Sequence, residues 1–214
     1  MIQHNFVSEL QPTNVSCTQT ATAMLLSHFD KKYNTATVLQ SSPATEFGSS
    51  MQQLAIYCLD RGYDVDMYSF DTRILDLTWS NLSSDSLIEK FEKIKTVRNI
   101  ESLGKNVTQQ YIEGYVEFIK KEGKLYIQPY PTRELLKQLV TEGPVCVAVN
   151  YTTLLGAGHT KNLGLRASEQ DDFENEVTTH AVLVYGLDDD NNFLVSDPWG
   201  DPQFNTVTSD QLIA

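Results

Sequence analysis

Three segments of the chain hold side chains whose chemistries interlock. The first is Gln11-Pro-Thr-Asn-Val-Ser-Cys17, the second opens on His180, and the third is Asp197-Pro198-Trp199-Gly200. Cys17 stands apart from Cys58 and Cys146 because its neighbours are polar: Asn14, Ser16, Thr18, Gln19 and Thr20. The other two lie in apolar runs and read as small buried hydrophobes. A thiolate is the reactive form of cysteine, and the N–H groups and positive dipole end of a helix N-terminus lower a thiol's pKa. A nucleophilic cysteine also needs a base, which an imidazole supplies, and the imidazole needs a third group to hold its tautomer and orientation. His180 and Asp197 fit those two roles. Acyl transfer builds negative charge on a carbonyl oxygen, and the Gln11 amide and the Cys17 backbone N–H are suitable donors for it. Taken singly, these residues read as a structural cysteine, a packed strand histidine and an Asp-Pro turn. Their conjunction, in the order Gln, Cys, His, Asp, is what points to nucleophilic catalysis.

The elements that must position these groups are legible in the periodicity. A helix is expected from Ser16–Cys17 to Phe29, with Cys17, Ala21, Met24, Leu25 and His28 on one face. A second helix reads from Ser50 to Arg61, with a capping box at Ser50–Gln53, a buried face of Leu54, Ala55, Cys58 and Leu59, and Gly62 as its end. A strand follows at 63–70. Residues 71–125 read as a polar, helix-leaning block. Leu87, Phe91, Ile94 and Val97 form one stripe, and Tyr111, Tyr115, Phe118 and Ile119 form another. This spacing predicts a helical hairpin inserted in a single domain spanning 1–214.

Thr132–Thr141 reads as a short helix with Leu135, Leu136, Leu139 and Val140 inward, followed by a strand at Val145–Asn150. Residues 152–178 read as a long exposed loop. A hairpin closes the chain's chemistry: His180–Leu187, a turn at Asp188–Asn192, then Phe193–Ser196. Adjacent strands lie about 4.8 Å apart, so His180 and Asp197 can meet across it. Helices early and strands late give an α+β class.

Composition narrows the functions further. The 214 residues carry 16 Lys+Arg against 28 Asp+Glu, a net charge of −12 that repels phosphate backbones, so no nucleic-acid partner is expected. No apolar run approaches the roughly 20 residues of a membrane span. The N-terminal segment lacks a basic region and an apolar core, so it does not read as a secretory signal, and a cytoplasmic location is expected. Three cysteines without a CxxC pair make neither a disulfide framework nor a zinc site, and no cofactor or metal is expected.

Several other features read plainly. Gly156-Ala-Gly158-His159 lacks the lysine of a phosphate loop. His159 is a rival base to His180, without a paired strand or a downstream Asp-Pro. Asp188–Asn192 lacks the glycine and glutamate of a calcium loop, because Phe193 and Trp199 stand at those positions.

Gln11-x5-Cys17, Thr179-His180-Ala-Val-Leu-Val-Tyr-Gly186 and Val195-Ser-Asp197-Pro198 together resemble the peptidase C39-like branch of the papain-like cysteine peptidases. The resemblance implies a papain-like α+β fold, in which an N-terminal helix carrying the nucleophile packs on a C-terminal antiparallel sheet. It implies Cys17 as nucleophile, His180 as general base, Asp197 as orienting carboxylate and Gln11 as oxyanion donor. Trp199-Gly200 fits the same superfamily, where a tryptophan after the orienting residue shields the triad.

Two departures stand out. Thr18 follows Cys17 where compact members carry glycine, and the Cys17–His180 interval is long, which fits an insertion. Without a membrane span or a P-loop, the transporter-coupled, double-glycine leader specificity is not carried over. The function implied is hydrolysis of a peptide or isopeptide amide in a peptide or protein substrate. The same triad also serves an acyl or γ-glutamyl transferase, and a non-catalytic C39-like binding module is a third reading. The oligomeric state is left open.

Overall fold

In chain order the elements are β1 (Ile2–Gln3), α1 (Cys17–Phe29), α2 (Thr35–Ser41), α3 (Met51–Leu59), β2 (Asp66–Ser69), a 3-10 turn (Leu77–Trp79), α4 (Ser84–Val97), α5 (Lys105–Lys120), β3 (Lys124–Ile127), α6 (Arg133–Glu142), β4 (Val145–Asn150), β5 (Thr160–Asn162), β6 (Ser168–Gln170), β7 (Thr179–Leu187), β8 (Phe193–Ser196), β9 (Thr206–Val207) and α7 (Ser209–Ile213). The computed structural model describes residues 1–46, 48–72, 74–97, 105–151, 154, 160–162, 168–170, 179–200 and 205–213. The chain is mixed α+β and divides into two units, Met1–Ser49 with Thr132–Ala214, and Ser50–Pro131.

The first unit is built on β7. Its residues 179–184 pair with β4 and its last two with β1, while β8 and then β9 continue on the other edge, all antiparallel. β7 is a continuous apolar run because both faces are covered. Cys146 on β4 donates its thiol to the Ala21 carbonyl of α1, and Ser196 on β8 reaches Met24 of α1; both residues sit opposite Leu183. The alternate residues Val182 and Val184 enter a core with Leu136, Val140, Val149, Phe193, Val195 and Leu212. A bulge between Val184 and Gly186 interrupts the β7–β8 register. Gly186 is needed there for close approach, since a Cβ would collide with the Ile2 carbonyl of β1.

α1 differs from expectation. Cys17, Leu25 and His28 are only half-buried, whereas Thr18 through Met24, Leu26 and Ser27 are all buried, so the helix is enclosed on nearly every side. A single apolar stripe therefore misdescribes it. Its polar side chains can be buried because local carbonyls satisfy them: Thr20 donates to Ser16, Thr22 to Thr18, and Ser27 to Met24. In α6, likewise, Leu136 and Val140 are buried while Leu135 and Leu139 are half-exposed.

The second unit contains the helical hairpin expected within 71–125, together with α3, β2 and β3. Both bonds of the expected capping box form, between Ser50 and Gln53. Leu87, Phe91 and Ile94 of α4 pack in one core with Ile112, Tyr115, Phe118 and Ile119 of α5. The strand expected at 63–70 is confined to Asp66–Ser69 and pairs in parallel with β3, which the helical reading of 71–125 did not foresee. Within the expected loop at 152–178, β5 and β6 form a short antiparallel pair. Among the described residues no helix is long and apolar enough to cross a membrane.

Candidate active site

The entry to α1 is built by a turn of polar residues. The Ser16 side chain makes no capping bond to the helix. It turns back instead, donating to the Thr13 carbonyl at 3.0 Å and accepting from the Thr13 N–H at 3.1 Å. The first-turn N–H groups of α1 therefore receive no oxygen from Ser16, and Cys17 sits at this positive helix end. Thr18 is buried, and its hydroxyl donates to the Ser49 carbonyl at 3.1 Å while lying 3.7 Å from the Cys17 sulfur. Gln19 donates to the Ser42 carbonyl and to the Ser49 hydroxyl, so the segment 42–49 is fastened beside the nucleophile.

His180 and Asp197 meet as the hairpin register predicts. Nε2 of His180 lies 2.6 Å from Oδ1 of Asp197, and only 2% and 1% of the two side chains are exposed. Asp197 Oδ1 also accepts the Trp199 N–H at 2.8 Å, which sets the carboxylate against its own turn. The Cys17 sulfur lies close enough to His180 and to the Ala181 N–H for both to act on its charge. Since Nε2 is engaged by Asp197, Nδ1 is the ring nitrogen left for the sulfur.

The electrostatics follow from these contacts. Burial disfavours the His180 imidazolium, but the hydrogen bonds from Asp197 and Cys17 outweigh it, and the pKa rises to about 9. Burial also raises the Cys17 thiol, yet the hydrogen bond and charge of His180, with the Ala181 N–H and Thr18, bring it below its ordinary value. A raised imidazole and a lowered thiol favour a thiolate–imidazolium pair. At Cys58 burial outweighs the nearby charge of Arg61 and pushes the thiol up to about 12.

Gln11 is 6% exposed, and its backbone N–H donates to the Pro198 carbonyl at 2.8 Å. The segment preceding the nucleophile is thus joined to the turn that carries Asp197. Its side-chain Nε2 donates one proton to the Thr13 carbonyl at 2.7 Å, leaving a second to donate. Its Oε1 is buried without a partner among the described residues.

The structure joins His180 to Asp197 by a hydrogen bond, brings Cys17 within electrostatic reach of His180, and ties Gln11 to the Asp197 turn through the backbone. Trp199 stacks on His180, with ring centroids 4.8 Å apart at 23°. His159 and the glycine-rich run 156–158 lie outside the described residues. The turn at Asp188–Asn192 is a hairpin turn, in which the Asp188 carboxylate accepts from Asp190, from the Asn192 N–H and from the Asn192 amide. Among the described residues no group of three or more metal-ligating side chains occurs.

Tyr151, which the sequence did not single out, contacts both His180 and Trp199. The signal that could have found it is register. Val149 pairs with His180 and Asn150 with Thr179, so the next residue leaves the sheet beside the histidine. The chain matches no family model, no curated protein and no solved structure.

Proposed function

We propose that this chain is a cysteine hydrolase of the papain-like, C39-like kind, cleaving a peptide or isopeptide amide through a thioester. The observation that carries the reading is the buried 2.6 Å hydrogen bond between Asp197 and an imidazole that acts on the Cys17 sulfur at a helix N-terminus. In this mechanism the Cys17 thiolate attacks the amide carbonyl carbon. The second proton of the Gln11 amide and the Cys17 N–H stabilise the oxyanion. The His180 imidazolium gives its proton to the departing amine as the C–N bond breaks, leaving a thioester on Cys17. The now neutral His180 then takes one proton from water as its oxygen attacks the thioester, and the C–S bond breaks to release a carboxylic acid, which gives its own proton to solvent, and to regenerate the ion pair. Asp197 holds the ring orientation throughout and stays ionised.

The test is labelling with a panel of electrophilic peptides, mapped by mass spectrometry, beside turnover of the matching amide substrates. Wild-type protein is expected to be modified at Cys17, and Cys17→Ala is expected to lose turnover while keeping its thermal midpoint. Turnover that survives in Cys17→Ala sinks the proposal. Product analysis with and without added amine distinguishes water from an amine as the group that accepts the acyl chain.

A further inference from the structure

The His180 ring is held by more than its polar partners. Tyr151 is 6% exposed, and its ring centroid lies 4.9 Å from that of His180 at 66° and 4.7 Å from that of Trp199 at 77°. Trp199 itself lies nearly parallel to the imidazole. Three rings from three segments of the chain thus touch pairwise: one follows β4, one opens β7, one follows β8. A parallel stack alone leaves a ring free to slide along its partner's face. A third ring set across both members removes that freedom. The Trp199 face that lies parallel to the imidazole favours a cation there, and holding that stack in place preserves the effect.

We propose that Tyr151 is a positioning residue for His180, its ring clamping the His180–Trp199 stack and stabilising the imidazolium form. The inference rests on the reading of Cys17, His180 and Asp197 as a catalytic triad, and adds a member that acts only through the histidine. Among the described residues, the titratable groups that face His180 are Cys17 from α1, Asp197 from the turn after β8, and Tyr151 itself. Loss of the ring should therefore destabilise the ion pair from both sides. The thiol pKa rises because its counter-charge is weaker, and the imidazole pKa falls toward its ordinary value. Both contacts are made by the ring, so phenylalanine should substitute for it in this role.

The experiment is the pH profile of Cys17 alkylation by iodoacetamide, together with the ring resonances of His180 followed by NMR, in the full chain. In Tyr151→Leu the thiolate limb is expected to move up and the imidazolium limb down, each by about half a unit to one unit. Tyr151→Phe is expected to keep the wild-type window. If Tyr151→Leu does not fold, Tyr151→Met removes the ring with a similar chain volume and reads the same quantity. Wild-type limbs in a folded Tyr151→Leu or Tyr151→Met overturn the inference, as does a Tyr151→Phe window as narrow as that of leucine. Those failures leave the triad reading standing, because wild-type protein still displays a low-pKa Cys17. A wild-type Cys17 that titrates as an ordinary thiol overturns both.

Discussion

The Gln11 N–H donates to the Pro198 carbonyl at 2.8 Å, so the segment leading to the nucleophile and the turn holding the orienting carboxylate are one hydrogen-bonded assembly. Residues nearly the whole chain apart are joined by a single backbone bond. The relative placement of oxyanion donor and triad therefore depends on that turn keeping its shape.

Gly200 closes the turn in the left-handed region, at φ 70°, and donates to the Asp197 carbonyl at 2.7 Å. A Cβ there would collide with Leu10, the residue before Gln11. Gly200→Ala is expected to cost roughly 1–2 kcal/mol from the backbone alone, more if Leu10 cannot move. The shift should displace Gln11 more than His180. Turnover should fall while the rate of Cys17 alkylation is retained, which stopped-flow alkylation and steady-state kinetics on one sample will show.

Asp197→Asn removes the carboxylate whose hydrogen bond, together with Cys17, outweighs burial of the His180 ring. The His180 pKa is expected to fall from about 9, and the alkaline limb of the activity profile to move down with it. The amide can also hold the wrong tautomer, so turnover at the optimum should drop roughly 10²–10⁴-fold. An activity profile whose alkaline limb stays in place would show that the carboxylate does not govern the ring.

Thiol reactivity should differ sharply by position. The lowered Cys17 thiol is expected to ionise at a lower pH than an ordinary thiol, whereas Cys58, pushed up to about 12, remains protonated and buried. Iodoacetamide labelling resolved by peptide mass spectrometry should modify Cys17 far faster than Cys58. As pH rises past about 9 His180 loses its proton, and the ion pair becomes a thiolate beside a neutral ring. His180→Ala should return the Cys17 thiol toward the ordinary value of roughly 8.5, or above it through burial.

Thr18 occupies the position after the nucleophile, and its hydroxyl satisfies the Ser49 carbonyl. Thr18→Val keeps the shape and removes the donor. The expected cost is about 1–3 kcal/mol, the range for a buried polar group left unpaired. Thr18→Ser should lose much less. Chemical denaturation of both variants gives the comparison; equal stabilities would mean the bond contributes nothing.

What the sequence alone determined were the local features. The bounds of α1 at Cys17–Phe29, the Ser50–Gln53 capping box, the stripes of α4 and α5, and the hairpin joining β7 to β8 all come from caps, turns and periods that span only a few residues. The hairpin also accounts for the legibility of the His180–Asp197 pair, because a short connection fixes which residues lie opposite one another. Tertiary structure decided whatever depends on distant partners. The short segment Lys124–Ile127 became a strand only because β2 pairs with it in parallel from across two helices. The polar helix α1 is enclosed because Ser42, Ser49 and the strands β4, β7 and β8 pack around it, and no single stripe in its sequence records that. Tyr151 entered the site because β4 pairs with β7 in one register. A shift of one residue would turn every side chain of β4 to the opposite face, and the sequence of β4 by itself does not specify that register.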